Sequence, residues 1–135
     1  MTRLRRLVLP VLLVLATIGG VAAAPSGATT IPTYHQAASG TTVRLKVGAE
    51  LRVSLQAAGG TAYRWVVTAG HDVVPFQIVS RRSYVVTPGL PGGPVRTVWT
   101  IRGRHVGYAT FRTVLRSVVD GTVARRFVLH IRVVA

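Results

Sequence analysis

Leu51-Arg52-Val53-Ser54-Leu55-Gln56 alternates apolar and polar side chains without a break. In an extended strand successive side chains point to opposite faces, so Leu51, Val53 and Leu55 share a buried face while Arg52, Ser54 and Gln56 take the other. Toward the N-terminus the same alternation continues across the turn signal Gly48-Ala49-Glu50: Val43, Leu45 and Val47 form one face, Arg44 and Lys46 the other. Two adjoining half-buried strands follow. Toward the C-terminus the turn Ala57 to Ala62 leads into Tyr63-Arg64-Trp65. There the two aromatics share the core side and Arg64 points away.

The rest of the chain keeps this style. Phe76 to Val79 and Ser83 to Val86 read as short strands on either side of Arg81-Arg82, and Thr87 to Pro94 reads as a long exposed loop rich in Pro and Gly. Arg96 to Ile101 is a strand, Gly103 to Gly107 a turn, Tyr108 to Arg116 a strand, and Asp120-Gly121 a second turn signal. In the last strand Phe127, Leu129, Ile131 and Val133 alternate with Arg126, Val128, His130 and Arg132. No helical period and no internal repeat compete with this pattern. Residues 41–135 are therefore expected to form one all-β domain, an antiparallel sandwich of about seven strands.

Residues 1–24 have the ordered parts of an export signal: Arg3, Arg5 and Arg6, an apolar run from Leu7 to Ile18, and a small-residue end at Val21-Ala22-Ala23-Ala24. Cleavage is expected near 23–28, giving a secreted or cell-envelope protein. The alternative is an uncleaved anchor, since Leu7 to Ala24 approaches the roughly 20 residues that span a bilayer. Residues 25–40, rich in Pro, Ser, Gly, Ala and Thr without a period, read as a disordered leader. The chain has no cysteine, which excludes disulfides and thiolate chemistry.

Basic residues number 17 against the three acids Glu50, Asp72 and Asp120, for a formal charge of +14. Without Arg3, Arg5 and Arg6 the balance is 14 against three, about +11, which favours anionic partners such as a cell-envelope polymer. The cations are spread along the whole chain, so no specific nucleic-acid face is expected. With three acids, nothing brings two carboxylates together for acid–base work. His35, His71, His105 and His130 lack metal-ligand spacing, although His71-Asp72 form an adjacent pair. No nucleophile-elbow pattern is present, and Gly89 to Gly93 lacks the Lys-Ser/Thr of a phosphate loop. The chain is thus expected to be no enzyme, without cofactor or metal, and a monomer. What remains is loop chemistry. The segments 57–62, 87–94 and 116–122 separate strands, and in a sandwich such loops lie side by side at one end, either as a binding edge or as plain connectors.

The order of these elements resembles the chagasin family of cysteine-peptidase inhibitors over about Thr41 to Val134. Leu51 to Leu55, a small-residue turn and Tyr63-Arg64-Trp65 are similar to the family's leading strand followed by Asn-Pro-Thr-Thr-Gly-aromatic-x-Trp. Gly89-Leu90-Pro91-Gly92-Gly93 resembles its Gly-x-Gly-Gly loop, and Gly107 to Arg116 with the strand Phe127 to Val133 resembles its ending. The resemblance implies an immunoglobulin-like β-sandwich that occludes the cleft of papain-like cysteine peptidases with three loops. The implied contacts are Gly59, Gly60, Thr61 and Ala62, then Gly89 to Gly93, then Arg116, Ser117, Val118 and Val119. The first loop keeps only Thr61 of the family's motif, and Ser117-Val118-Val119 stand where the family has Arg-Pro-Trp. The alternative is a non-inhibitory, envelope-associated domain that binds an anionic polymer or a protein partner.

Overall fold

The computed structural model describes residues 30–70 and 74–135; the expected signal peptide, its cleavage near 23–28 and the His71-Asp72 pair lie outside the described residues. Eight strands follow one another: β1 Thr33–Tyr34, β2 Thr42–Lys46, β3 Glu50–Ala57, β4 Tyr63–Ala69, β5 Phe76–Val85, β6 Val95–Gly103, β7 Gly107–Ser117 and β8 Val123–Val134. They form two four-stranded sheets, ordered β1-β3-β6-β5 and β2-β8-β7-β4.

Alternation decides which side chains lie between the sheets. Leu51, Val53 and Leu55 of β3 oppose Ile101, Trp99 and Thr97 of β6, and all six are buried. Across the core, Phe111 of β7 and Phe127, Leu129, Ile131 and Val133 of β8 are likewise enclosed. Trp99 meets Phe111 edge-to-face with ring centroids 5.7 Å apart, so one aromatic contact ties the two sheets together. Trp65 is buried in the same cluster, Tyr63 is packed against it, and Arg64 is exposed, as the spacing requires.

Four details depart from the sequence reading. The adjoining strands β2 and β3 belong to different sheets, because the turn at Gly48 carries the chain across: β2 pairs parallel with β8, whereas β3 pairs antiparallel with β6. The alternation therefore stops at Lys46, and Val47 is left exposed. The two short strands around Arg81-Arg82 are one strand, β5, which stays paired with β6 through a register shift between Ile78 and Ser80. Such a bulge breaks the period of two without ending the strand.

The last departure concerns the disordered leader expected over 25–40, which is ordered in its described part. Thr33–Tyr34 add a parallel edge strand to β3, and the Arg52 amide donates to the Pro32 carbonyl at 2.8 Å. The 3-10 turn Gln36–Ala38 follows, the Gly40 amide donates to the Val128 carbonyl, and the Val128 amide donates to Ser39 Oγ. Backbone bonds to a sheet edge need no side-chain period, which is why the pattern did not announce them.

Truncation of the cross-sheet contact is the sensitive test of this packing. Trp99→Ala is expected to lower unfolding free energy by about 3–5 kcal/mol. Tyr108→Ala, at an exposed site on β7, should change it by less than about 0.5 kcal/mol, both read from urea midpoints at constant slope.

Candidate functional site: three loops at one end of the sandwich

The connections β3–β4, β5–β6 and β7–β8 meet at one end. Residues 58–62 carry the chain from the first sheet to the second and lie between the other two loops. On one side, a Cβ on Gly59 would sit 1.7 Å from the Gly93 carbonyl oxygen, and one on Gly60 3.5 Å from Gly92 Cα. On the other side, the Val118 amide donates to the Ala62 carbonyl at 2.8 Å. The three loops therefore touch backbone to backbone, with 58–62 in the centre.

Each loop is also closed by its own bonds. In the first, Thr61 Oγ1 donates to the Ala58 carbonyl at 2.8 Å and Gly60 takes φ +69°, a conformation glycine adopts without strain. The second loop is two turns in succession. The Leu90 amide donates to the Thr87 carbonyl at 3.3 Å and the Gly93 amide to the Leu90 carbonyl at 3.1 Å, with Gly89 and Gly92 at φ +81° and +68°. Thr87-Pro88-Gly89-Leu90 and Leu90-Pro91-Gly92-Gly93 thus each have Pro second and Gly third, as a type II turn demands. In the third, Ser117 Oγ accepts from the Val119 amide at 3.2 Å, and Asp120 Oδ1 accepts from the Thr122 amide at 3.0 Å. The Thr122 amide, and then the Thr122 and Ser117 hydroxyls, hold the Asp120 carboxyl below its ordinary pKa.

The expected site residues divide by position. Gly60, Thr61, Gly89, Leu90, Pro91, Gly92, Val118 and Val119 form the exposed rim, with Leu90 at 52%, Val118 at 67% and Val119 at 82% exposure. Gly59 and Ala62 are half-buried behind it, and Gly93 is buried. Two residues of the third loop belong to strand β7 instead: Ser117 is buried and closes the turn, while Arg116 faces solvent opposite Arg64 on the outer surface of the sheet. The apolar rim is thus Leu90 on one flank and Val118-Val119 on the other, with the low Gly-Gly-Thr crest between.

Sequence reasoning missed the anchoring of this edge. Asp120 was legible only as a turn residue, and the repeated Pro-Gly step at 88–89 and 91–92 is the signal that predicts two tight turns rather than one loose loop. Beside the crest, a cleft of about 410 Å³ opens between the sheet edges, where Arg81 Nη2 donates to the Trp65 carbonyl at 3.4 Å. Among the described residues no three His, Asp or Glu side chains converge on a point. His35 Nδ1 lies against the Ser54 carbonyl and His130 Nδ1 against Thr110 Oγ1. This edge offers shape and apolar contact, not reactive groups.

Comparison with known proteins gives the edge a context. Residues 44–131 match the sequence model of the chagasin family peptidase inhibitor I42. No curated protein matches the chain. Among solved structures, the cysteine protease inhibitor EhICP2 from Entamoeba histolytica superposes with a TM-score of 0.67 at 15% identity, over 77% of this chain and 96% of that one. Amebosin superposes at 0.58 with 21% identity, over 78% and 99% of the two chains. PbICP-C, solved in complex with falcipain-2, superposes at 0.56 with 17% identity, over 77% and 91%.

The glycines of the crest are predicted to be unequal. Gly59→Ala forces a Cβ into the Gly93 carbonyl, so amide shifts in residues 89–93 should move together with those of 58–62, and stability should fall by more than about 2 kcal/mol. Gly121→Ala at φ +76° has open space around it and should lose only about 1–2 kcal/mol, with the other loops undisturbed. As Asp120's folded pKa is lowered, its contribution to the third loop is present above the unfolded value of about 3.9 and lost as pH falls through the folded one. A carboxyl-shift titration of Asp120 should give a midpoint below that unfolded value.

Proposed function

Because the chain belongs to the chagasin family of peptidase inhibitors, we propose that its mature domain is exported and blocks papain-like cysteine peptidases by seating the three-loop edge in the active-site cleft. Family members are inhibitors, not enzymes, and inhibition by occlusion asks for a rigid edge rather than for a nucleophile or a metal. The observation that carries the reading is the backbone-to-backbone packing of the loops, Gly59 on Gly93 and Ala62 on Val118. Loops already held in place lose little conformational freedom on binding. The ordering of each free residue would otherwise oppose association by about 1–2 kcal/mol.

Roles follow from position. Gly60 and Thr61 form the central crest, whose small side chains let backbone approach the catalytic centre closely. Leu90 and Pro91 press on one wall of the cleft, Val118 and Val119 on the other. Burial of these exposed apolar side chains supplies the contact energy, on the order of 25 cal/mol per Å² covered. Where the family has an aromatic anchor in the third loop, this chain has the valine pair, which covers less area. The descriptions of similar proteins, EhICP2 as a cysteine protease inhibitor and PbICP-C in complex with falcipain-2, support a cysteine peptidase as the partner.

The purified domain is expected to slow a papain-like peptidase reversibly and to leave a serine peptidase untouched. Leu90→Asp and Val119→Asp each place a charge on an apolar wall and should raise the inhibition constant at least about tenfold. Both positions are exposed, so melting temperatures should stay within a few degrees of the parent. Absence of inhibition at micromolar concentration against a panel of cysteine peptidases would refute the proposal.

A further inference from the structure

The fourteen basic residues that follow residue 40 are spread evenly in sequence, but strand alternation sorts them in space. On the outer face of the β2-β8-β7-β4 sheet, Arg44 stands directly opposite Arg132, and Arg64 directly opposite Arg116. Arg112 of β7 and Arg126 of β8 lie between these two pairs. All six are exposed. No acid shares this face among the described residues: Glu50 pairs with Arg102 on the other sheet, and Asp120 is held in the β7–β8 turn.

Like charges directly opposite each other weaken a sheet. Two such pairs, with no carboxylate between them, are a feature the fold itself does not require. Val114 alternates outward between Arg112 and Arg116 and is nonetheless buried, which fits arginine stems lying flat over the sheet and carrying their heads to a common surface. From the row of Arg132, opposite Tyr108, to Arg116 the chain advances eight residues along β7, about 27 Å at 3.4 Å per residue. The face carries a cationic stripe along the sheet, and the loop rim lies at the sheet's end.

We propose that this face binds a linear anionic polysaccharide carrying carboxylate or sulfate groups, independently of the inhibitory loops. Guanidinium forks match both groups with paired hydrogen bonds, and a row of them matches a chain of repeated charges. Single-stranded nucleic acid is the less suited polyanion, since it is usually held by stacking bases on aromatic rings. Tyr108, the aromatic of this face, is already stacked on His130 with centroids 6.1 Å apart and planes 10° apart.

The test measures affinity for dextran sulfate and for polygalacturonate, with a single-stranded oligonucleotide as the rival polyanion, over a series of salt concentrations. The domain is expected to bind at least one of the glycans, more weakly as salt rises. The pair Arg44→Gln/Arg132→Gln should weaken that binding at least about tenfold, whereas Arg52→Gln/Arg82→Gln, removing the same charge from the other sheet, should change it less than about twofold. Removal of the opposed pair should also leave the melting temperature equal to or above the parent's, which separates lost contacts from lost folding. Equal losses from the two double variants would reduce the effect to net charge and overturn the proposal. So would tighter binding of the oligonucleotide than of either glycan, or binding of no glycan at low salt.

Discussion

The carbonyl oxygen of Gly93 occupies the space where a side chain on residue 59 would begin. That single close approach joins the loop crossing between the sheets to the loop of the β5–β6 hairpin, and the hydrogen bond from Val118 to Ala62 joins it to the third. The rest of the molecule serves to bring these backbones together. The β3–β6 and β4–β7 ladders fix where the loops emerge, and the Trp99–Phe111 contact fixes the spacing between the sheets that the central loop must span. Glycine at 59 is thus a packing requirement. Read from sequence alone it signals only conformational freedom.

The same contrast runs through the chain. Period-two alternation was enough to find β2 to β8 in outline and nearly all of the core, because burial of every second residue is what a sandwich imposes: Leu51, Val53 and Leu55, and Phe127, Leu129, Ile131 and Val133, are enclosed as their spacing requires. Alternation does not say which sheet a strand joins. β2 and β3 carry the same pattern and lie in opposite sheets, since both patterns are satisfied by facing one core from either side. Nor does it register interactions made through backbone alone, which is how Thr33–Tyr34 and the bulged middle of β5 escaped it.

Of the loop edge, the three segments and their shared end were legible from turn residues and from the family resemblance. Their division of labour was not. Ser117 belongs to the turn's internal bonding and Arg116 to the outer sheet face, because the strand runs on through both. The exposed apolar part of the third segment is therefore Val118 and Val119. The arginines show the opposite error: a spread that looks diffuse along the sequence divides between two outer faces, Arg52, Arg82, Arg96 and Arg102 with Glu50 on one sheet and a stripe without a carboxylate among the described residues on the other.

The bonded loops at one end and the charged face along one side are separate surfaces, and the reading proposed above assigns peptidase recognition to the end alone. Amide-resolved NMR of the domain, titrated with a cysteine peptidase whose catalytic cysteine is replaced by alanine, tests this most directly. Line broadening should be confined to residues 59–62, 89–93 and 117–119, with Arg44, Arg112 and Arg132 unaffected. Broadening centred on the outer face of β2, β8 and β7, or none at all under conditions where the peptidase is saturated by a known inhibitor, would contradict it.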